Sequence, residues 1–125
     1  MQPLNNEIGK IYQRPWGSYQ TLALSPGYQV KVIIVQPNGR LSLQKHFKRA
    51  EHWVIVSGSP TVTVGEKTAV YRVNQSVYIP QESKHRIENL THEVCTLIEV
   101  QIGDYLGEDD IVRFEDIYGR DSHAR

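Results

Sequence analysis

The sequence predicts an all-β protein whose short strands form a small antiparallel sandwich or barrel. Apolar residues alternate with polar ones over 28–35 and 94–102, the period of a strand with one face buried and the other polar or lining a cavity. Strands that recur about every 8–12 residues are typical of sandwiches and barrels. Turn-forming sequences separate the candidate strands at 25–27, 37–39, 57–60 and 65–67.

Short segments rich in β-branched and aromatic residues lie between these turns. In chain order, the predicted strands are 19–24, 28–35, 41–44, 51–57, 61–64, 69–73, 77–79, 85–88 and 94–102. We expect residues 1–13 to form a loosely held N-terminal arm. Asp109-Asp110 followed by apolar residues up to Ile117 predicts either a short capped helix or an irregular flap.

Composition and charge argue against several classes of protein. The 125 residues suit one domain, and 14 Lys and Arg balance 14 Asp and Glu. A general nucleic-acid binder or a polybasic membrane anchor needs concentrated positive charge, so we expect neither nucleic acid nor membrane as a partner. The longest aliphatic run is 32–35, far shorter than the roughly 20 apolar residues of a membrane helix.

The compartment is predicted from the N-terminus and the single cysteine. Residues 1–7 have neither a basic nor an apolar region, so no secretory signal is predicted. Cys95 lies in an apolar stretch, which favours a buried inert thiol over a catalytic one. We therefore expect a cytoplasmic protein.

Two histidines and a carboxylate are spaced to meet inside such a barrel. If 41–46 is a strand, Gln44 and His46 point to one face, and Glu51 opens the next strand after a short connection. His85 begins a later strand after a turn. Two imidazoles, a carboxylate and an amide oxygen form a set of ligands for a divalent metal. The alternative is that both histidines are half-buried strand residues and Glu51 is a solvated strand end.

Two segments resemble the cupin motifs. Residues 39–58 resemble G-x5-H-x-H-x3,4-E-x6-G, with Gln44 in place of the first histidine and one residue nearer the glycine. Residues 73–89 resemble G-x5-P-x-G-x2-H-x3-N, with Asn74 and Glu82 in place of its two glycines. Asn tolerates a positive φ at a turn, whereas Glu82 indicates a differently shaped turn. The resemblance implies a double-stranded β-helix, a small antiparallel jelly-roll barrel.

Longer stretches are similar to the type II mannose-6-phosphate isomerases. The similarity covers residues 14–120, which we take as the cupin domain, with 121–125 as a tail. The segments that carry it are 14–19, 28–31, 41–58 and 101–113. Such cupins often form the C-terminal half of a bifunctional enzyme with a mannose-1-phosphate guanylyltransferase. The Gly-rich nucleotide loop of that half is absent from these 125 residues, so guanylyl transfer is not expected of them.

The resemblance implies metal-dependent interconversion of mannose 6-phosphate and fructose 6-phosphate through an enediol, with this phosphosugar as substrate. The implied metal ligands are Gln44, His46, Glu51 and His85. Zinc is our first choice, with other first-row divalent ions as alternatives.

The sequence indicates the catalytic base and the phosphate-binding residues less specifically than the metal ligands. Glu99 could shuttle the proton if its face lines the cavity, and is otherwise solvated. Lys31 interrupts an apolar strand and could bind sugar hydroxyls or phosphate, or extend to water. Arg14 and Arg113 flank the barrel and are phosphate candidates, with surface salt bridges as the alternative.

The same residues are compatible with two other functions. One is a non-catalytic cupin that binds a sugar or sugar nucleotide and partners a separate guanylyltransferase. The other is a different cupin enzyme, such as a sugar-nucleotide isomerase or epimerase, or an iron oxygenase. Small cupins are commonly dimers, so the resemblance also implies a homodimer, to which the N-terminal arm could contribute.

Overall fold

The computed structural model describes residues 5–115, and within them it contains strands and no helix. The all-β prediction is therefore confirmed. The described residues also hold no helix that could cross a membrane. In chain order the strands are β1 (Ile11–Arg14), β2 (Gly17–Ser25), β3 (Tyr28–Val35), β4 (Leu43–Lys45), β5 (Arg49–Ser57), β6 (Thr61–Val64), β7 (Lys67–Val70), β8 (Ser76–Ile79), β9 (His85–Glu88), β10 (Cys95–Gly103) and β11 (Val112–Glu115).

The strands form two antiparallel sheets that enclose one core. The larger sheet has the order β1-β2-β3-β10-β5-β8 and the smaller one β11-β4-β9-β6-β7. The core joins Ile33, Ile55 and Leu97 of the larger sheet to Val62 and Ile87 of the smaller one. Cys95 belongs to the same core and is fully buried, as predicted.

The buried face of the two longest predicted strands is the one that carries polar residues. β3 pairs with β10 along its whole length, from Tyr28 opposite Ile102 to Val35 opposite Cys95. On β3 the alternate inward residues are Gln29, Lys31, Ile33 and Val35, whereas the apolar residues between them are half-buried or exposed. The interior is therefore polar at one end of these strands and apolar at the other.

The predicted turns are present and use the residues that tolerate left-handed backbone. Gly27 and Gly58 have φ of 93° and 81°. Asn74, in place of the first glycine of the second cupin motif, has φ of 76° as anticipated. Glu82, in place of the second, also lies in the left-handed region at 67°. That conformation costs a residue with a Cβ roughly 1–2 kcal/mol.

Both ends of the described chain contribute strands that the sequence pattern did not predict. Residues 11–14, from the segment expected to be an arm, pair with β2, and Tyr12 is buried. No helix forms over 109–115: residues 109–111 lie in a turn and loop, and 112–115 pair with β4 as β11. The Asp110 carboxylate that could have capped a helix accepts hydrogen bonds from the backbone N–H groups of Phe47 and Lys48 at 3.0 Å each. Residues 116–125, with the predicted tail, lie outside the described residues.

Candidate metal centre and cavity

The predicted histidines and glutamate meet at the polar end of the interior. His46 follows β4, Glu51 is on β5 and His85 opens β9. One potential ligand atom from each lies within 4.8 Å of those of the other two. The His46 Nε2 atom is 3.3 Å from Glu51 Oε2, and the three side chains are buried. The arrangement is compatible with one divalent ion held by all three residues.

The second nitrogen of each imidazole is held by a backbone carbonyl. His46 Nδ1 lies 2.7 Å from the Asp110 carbonyl oxygen, and His85 Nδ1 lies 2.9 Å from that of Ser83. Since a carbonyl only accepts, both Nδ1 atoms donate, and in a neutral ring Nε2 then carries the lone pair. His85 Nε2 is buried and has no hydrogen-bond partner among residues 5–115. A buried acceptor of this kind fits a metal ligand.

Electrostatics keep the ligand set in the protonation state that a metal requires. Burial lowers the pKa of His46 to about 4 and also lowers the pKa of His85, so both rings are neutral at pH 7. Burial acts to raise the pKa of Glu51, but the Arg49 guanidinium, the two imidazoles and the Trp53 N–H together outweigh it and hold that pKa well below its usual range. Glu51 therefore stays anionic, and metal binding would displace no proton from these three groups.

Hydrogen bonds orient the Glu51 carboxylate. Arg49 Nε donates to Oε2 at 2.9 Å, and Trp53 Nε1 donates to Oε1 at 2.8 Å. Neither partner is among the site residues that the sequence predicts, although Arg49, Glu51 and Trp53 alternate along one face of β5. That period-two spacing is the signal that could have identified Arg49 as an inward residue.

Gln44 lies on β4 directly opposite His85 on β9, and it lines a cavity beside the three clustered residues. Its Oε1 accepts a hydrogen bond from Ser42 Oγ at 2.9 Å. The Ser42 hydroxyl therefore orients the Gln44 amide at the cavity wall. The structure brings Gln44 to the site, while its role as a fourth ligand stays a prediction.

A cavity of about 130 Å³ opens beside these residues. Of the eight residues that the sequence analysis named, all but His85 line it; they are Arg14, Lys31, Gln44, His46, Glu51, Glu99 and Arg113. Both sheets contribute, since Arg14 ends β1 and Arg113 is on β11. Positive and negative side chains therefore face one another across a small space.

Lys31 and Glu99 are neighbours on β3 and β10, opposite each other in the register. Lys31 Nζ is 2.9 Å from Glu108 Oε2 and 4.0 Å from the centre of the Tyr19 ring, which binds the cation through its face. The Lys31 side chain is only 4% exposed, so it does not extend to water.

Glu99 is buried at the polar end and is held by a chain of side-chain hydrogen bonds. Gln101 Nε2 donates to Glu99 Oε1 at 3.0 Å, Gln29 Nε2 donates to Gln101 Oε1 at 2.8 Å, and Thr21 Oγ1 donates to Gln29 Oε1 at 2.8 Å. Burial, reinforced by the Glu51 charge, raises the pKa of Glu99 to about 8. Glu99 is therefore a largely protonated acid at pH 7, next to an ionised carboxylate.

The two arginines proposed for phosphate are positioned differently. Arg14 donates from Nη2 to Tyr19 Oη at 3.3 Å, and its guanidinium lies over the Tyr12 and Tyr19 rings, 5.7 and 5.2 Å from their centres. Arg113 is opposite Gln44 in the pairing of β11 with β4. Both line the cavity, while their roles in binding remain predictions.

The composition of the segment around Arg49 is misleading. Lys45, Lys48 and Arg49 form a basic run that predicts a solvated loop beside the site, and for Arg49 this prediction is wrong. The structure buries its side chain to 4% exposure and pairs it with Glu51. The physical reason is that β5 begins at Arg49 and not at Glu51, so Arg49 takes an inward position of the strand.

Comparison with solved structures defines the class of protein. The fold matches the cupin domain of Cnp3 from Schizosaccharomyces pombe with a TM-score of 0.65 and 18% identity, covering 70% of this chain and 64% of that one. It also matches Rru_A2000, a cupin-2 domain protein from Rhodospirillum rubrum, with a TM-score of 0.66 and 20% identity over 81% and 76% of the chains. The protein therefore has the cupin fold, as its sequence motifs predict.

The chain belongs to the family described as "Mannose-6-phosphate isomerase C-terminal", whose sequence model matches residues 4–116. It is 54% identical over 111 residues to the xanthan biosynthesis protein XanB of Xanthomonas campestris pv. campestris, covering 89% of this chain and 24% of XanB. It is 54% identical over 107 residues to the alginate biosynthesis protein AlgA of Pseudomonas aeruginosa, covering 86% and 22%.

A mannose-1-phosphate guanylyltransferase of Salmonella montevideo is 50% identical over 107 residues, covering 86% of this chain and 23% of that protein. The chain thus spans about a quarter of the length of these relatives. The match places it with proteins of mannose metabolism and polysaccharide biosynthesis.

Proposed function

We propose that this protein interconverts mannose 6-phosphate and fructose 6-phosphate through an enediol. The observation that supports this most directly is the cluster of His46, Glu51 and His85 beside a cavity that also holds Glu99. Family membership supports the substrate class.

The reaction moves a proton between C1 and C2, and negative charge develops on the oxygen beside the carbonyl. A divalent ion held by His46, His85 and Glu51 would supply positive charge beside that oxygen. Gln44 is the proposed fourth ligand, through its amide oxygen. We propose zinc, with other first-row divalent ions as alternatives, because nitrogen and oxygen ligands do not discriminate sharply between them.

Glu99 is suited to carry the proton. With a pKa near 8, it can donate a proton to a sugar oxygen and accept one afterwards at physiological pH. Lys31, opposite it on β3, provides positive charge that stabilises the ionised form of Glu99 or contacts a sugar hydroxyl.

We assign the phosphate to Arg14 and Arg113, which reach the cavity from different sheets. Guanidinium groups bind phosphate oxygens through paired N–H donors, and the Tyr12 and Tyr19 rings hold the Arg14 guanidinium in place.

Metal analysis and an isomerase assay together test the proposal. Purified protein is expected to contain about one divalent ion per chain and to convert mannose 6-phosphate in a coupled assay, with activity lost on chelation and restored by metal. His46→Ala should lose metal and activity, whereas His52→Ala, on the outward face of the same region, should keep both. A metal-loaded but inert protein would favour the alternative of a sugar-binding module. No GDP-mannose is expected from mannose 1-phosphate and GTP.

We also propose a homodimer that pairs the outer face of the larger sheet with its copy. The outward residues of β3 and β10 are almost all apolar, and on β5 Val54 and Val56 are 39% and 48% exposed. A face of this kind can pair with itself about a two-fold axis. Val54→Lys should give a monomer by light scattering, while Val70→Lys on β7 should not; a monomeric wild-type protein would contradict the proposal.

The buried thiol of Cys95 fits a cytoplasmic location.

A further inference from the structure

Arg49 contacts His46 and Glu51, two of the three residues that could hold the metal ion. Its Nη2 is 3.3 Å from His46 Nε2, and its Nε is 2.9 Å from Glu51 Oε2. Since His46 donates from Nδ1 to the Asp110 carbonyl, the lone pair on Nε2 accepts from Arg49. A divalent ion held by His46 and Glu51 would need that same lone pair and would share the Glu51 carboxylate with Arg49.

The guanidinium is also fixed in place and permanently charged. Arg49 is 4% exposed, and a third contact joins its Nη1 to the Gly107 carbonyl at 3.4 Å. An arginine keeps its charge at all accessible pH values. A buried cation within hydrogen-bond distance of Glu51 opposes the entry of a second cation, and the low local dielectric strengthens that opposition.

We propose that Arg49 competes with the divalent metal for His46 and Glu51 and thereby sets the metal affinity of the site. The inference rests on the proposed metal centre and adds a residue that lowers its affinity. Metal binding would require the guanidinium to give up its contact with the His46 lone pair and to share the Glu51 carboxylate with a second cation. The competition between Arg49 and the metal would keep the metal exchangeable. When no metal is bound, Arg49 pairs with Glu51, which would otherwise be a buried unpaired charge.

A purely supporting role for Arg49 predicts the opposite sign. If the guanidinium only orients Glu51 for the metal, its removal leaves a misplaced ligand and weakens binding. If it competes, its removal strengthens binding. The direction of the change in metal affinity therefore separates the two roles without any measurement of activity.

The experiment titrates chelated, dialysed protein with zinc and separately with cobalt by calorimetry at about pH 8, where the imidazoles are neutral. Arg49→Met, which keeps the bulk of the side chain, should bind both ions at least about tenfold more tightly than wild type. Lys48→Met removes the same charge from the adjacent exposed position, and its affinity should stay within about twofold. Unchanged or weaker binding by Arg49→Met overturns the proposal.

A second variant covers the case in which Arg49→Met does not fold, as judged by circular dichroism. Arg49→Lys keeps the charge, but an ammonium cannot reproduce the planar contact to both His46 and Glu51, so binding should tighten by about threefold. Affinity at or below that of wild type overturns the proposal. If wild-type protein binds neither ion, the metal centre itself fails; if it binds and the variants are no tighter, only the competition fails.

Discussion

The two ends of the barrel interior differ in chemistry although the same strands build them. On β10, Cys95 and Leu97 belong to the apolar core, whereas Glu99 and Gln101, the next two inward residues, lie in the polar half. The backbone geometry is the same at all four positions. The difference teaches that one strand can contribute an apolar core at one end and a cluster of buried polar and ionisable groups at the other, according to which side chains it turns inward.

The polar end is tolerated because its buried groups are paired. The Thr21, Gln29 and Gln101 side chains form one chain of hydrogen bonds that ends on Glu99. Leaving such groups unpaired would cost about 1–3 kcal/mol each. The apolar end needs no such network, and its contribution is the burial and close packing of aliphatic side chains.

Leu97→Ala tests the apolar end and carries the largest expected effect. Leu97 is 1% exposed, so removing its side chain should lower the free energy of unfolding by about 3 kcal/mol. Chemical denaturation measures this loss. The metal content and the kcat of the folded enzyme should change little. A large fall in kcat at full folding would show that the two ends are not independent.

Glu99→Gln tests the polar end, two residues further along the same strand. The amide cannot exchange a proton, so kcat should fall about 100-fold. The free energy of unfolding should stay the same or rise, because a buried ionisable group is replaced by a neutral one. The measurement is the coupled isomerase assay together with denaturation. Retention of most of the activity would remove Glu99 from the mechanism.

The polar end should also control how stability depends on pH. The lowered pKa values of His46, about 4, and His85 mean that the unfolded chain binds more protons between the folded pKa and the ordinary value of 6.5, so stability rises with pH there. The pKa of Glu99 is raised from 4.5 to about 8, so the folded protein keeps a proton that the unfolded chain has lost, and stability falls as pH rises through that window.

Together these opposite slopes place the maximum of stability near pH 6.5. Above that pH the two histidines no longer change the free energy of unfolding, and only the decrease due to Glu99 continues. Between about pH 6.5 and 8 the free energy of unfolding should fall by about 2 kcal/mol. Denaturation in the presence of a chelator measures the profile. In Glu99→Gln the fall should disappear; an identical fall in that variant would assign it to other groups.

The smallest expected effect concerns the turn that leads into His85. Glu82 has φ of 67°, and its N–H donates to the His46 carbonyl at 2.8 Å. Glu82→Gly should raise the free energy of unfolding by about 0.5 kcal/mol. Glycine relieves the backbone strain of the folded state, but its greater freedom in the unfolded chain offsets part of that gain. Ser83→Gly is the matched control and should destabilise. Equal destabilisation by both would mean that the turn carries no strain.

The sequence by itself determined the all-β class, most of the strands and turns, and the meeting of His46, Glu51 and His85. Period-two spacing and turn chemistry are local properties, and the cupin motifs add fixed intervals between the ligands. Only the tertiary structure decided which face of β3 and β10 is inside. The period-two alternation separates the two faces of a strand but does not say which is buried, and here the apolar residues occupy the outward face. Closure of the two sheets selects the inward face, and with it the burial of Lys31 and Glu99. The pairing of 112–115 with β4 likewise depends on an open strand edge that no local pattern reveals.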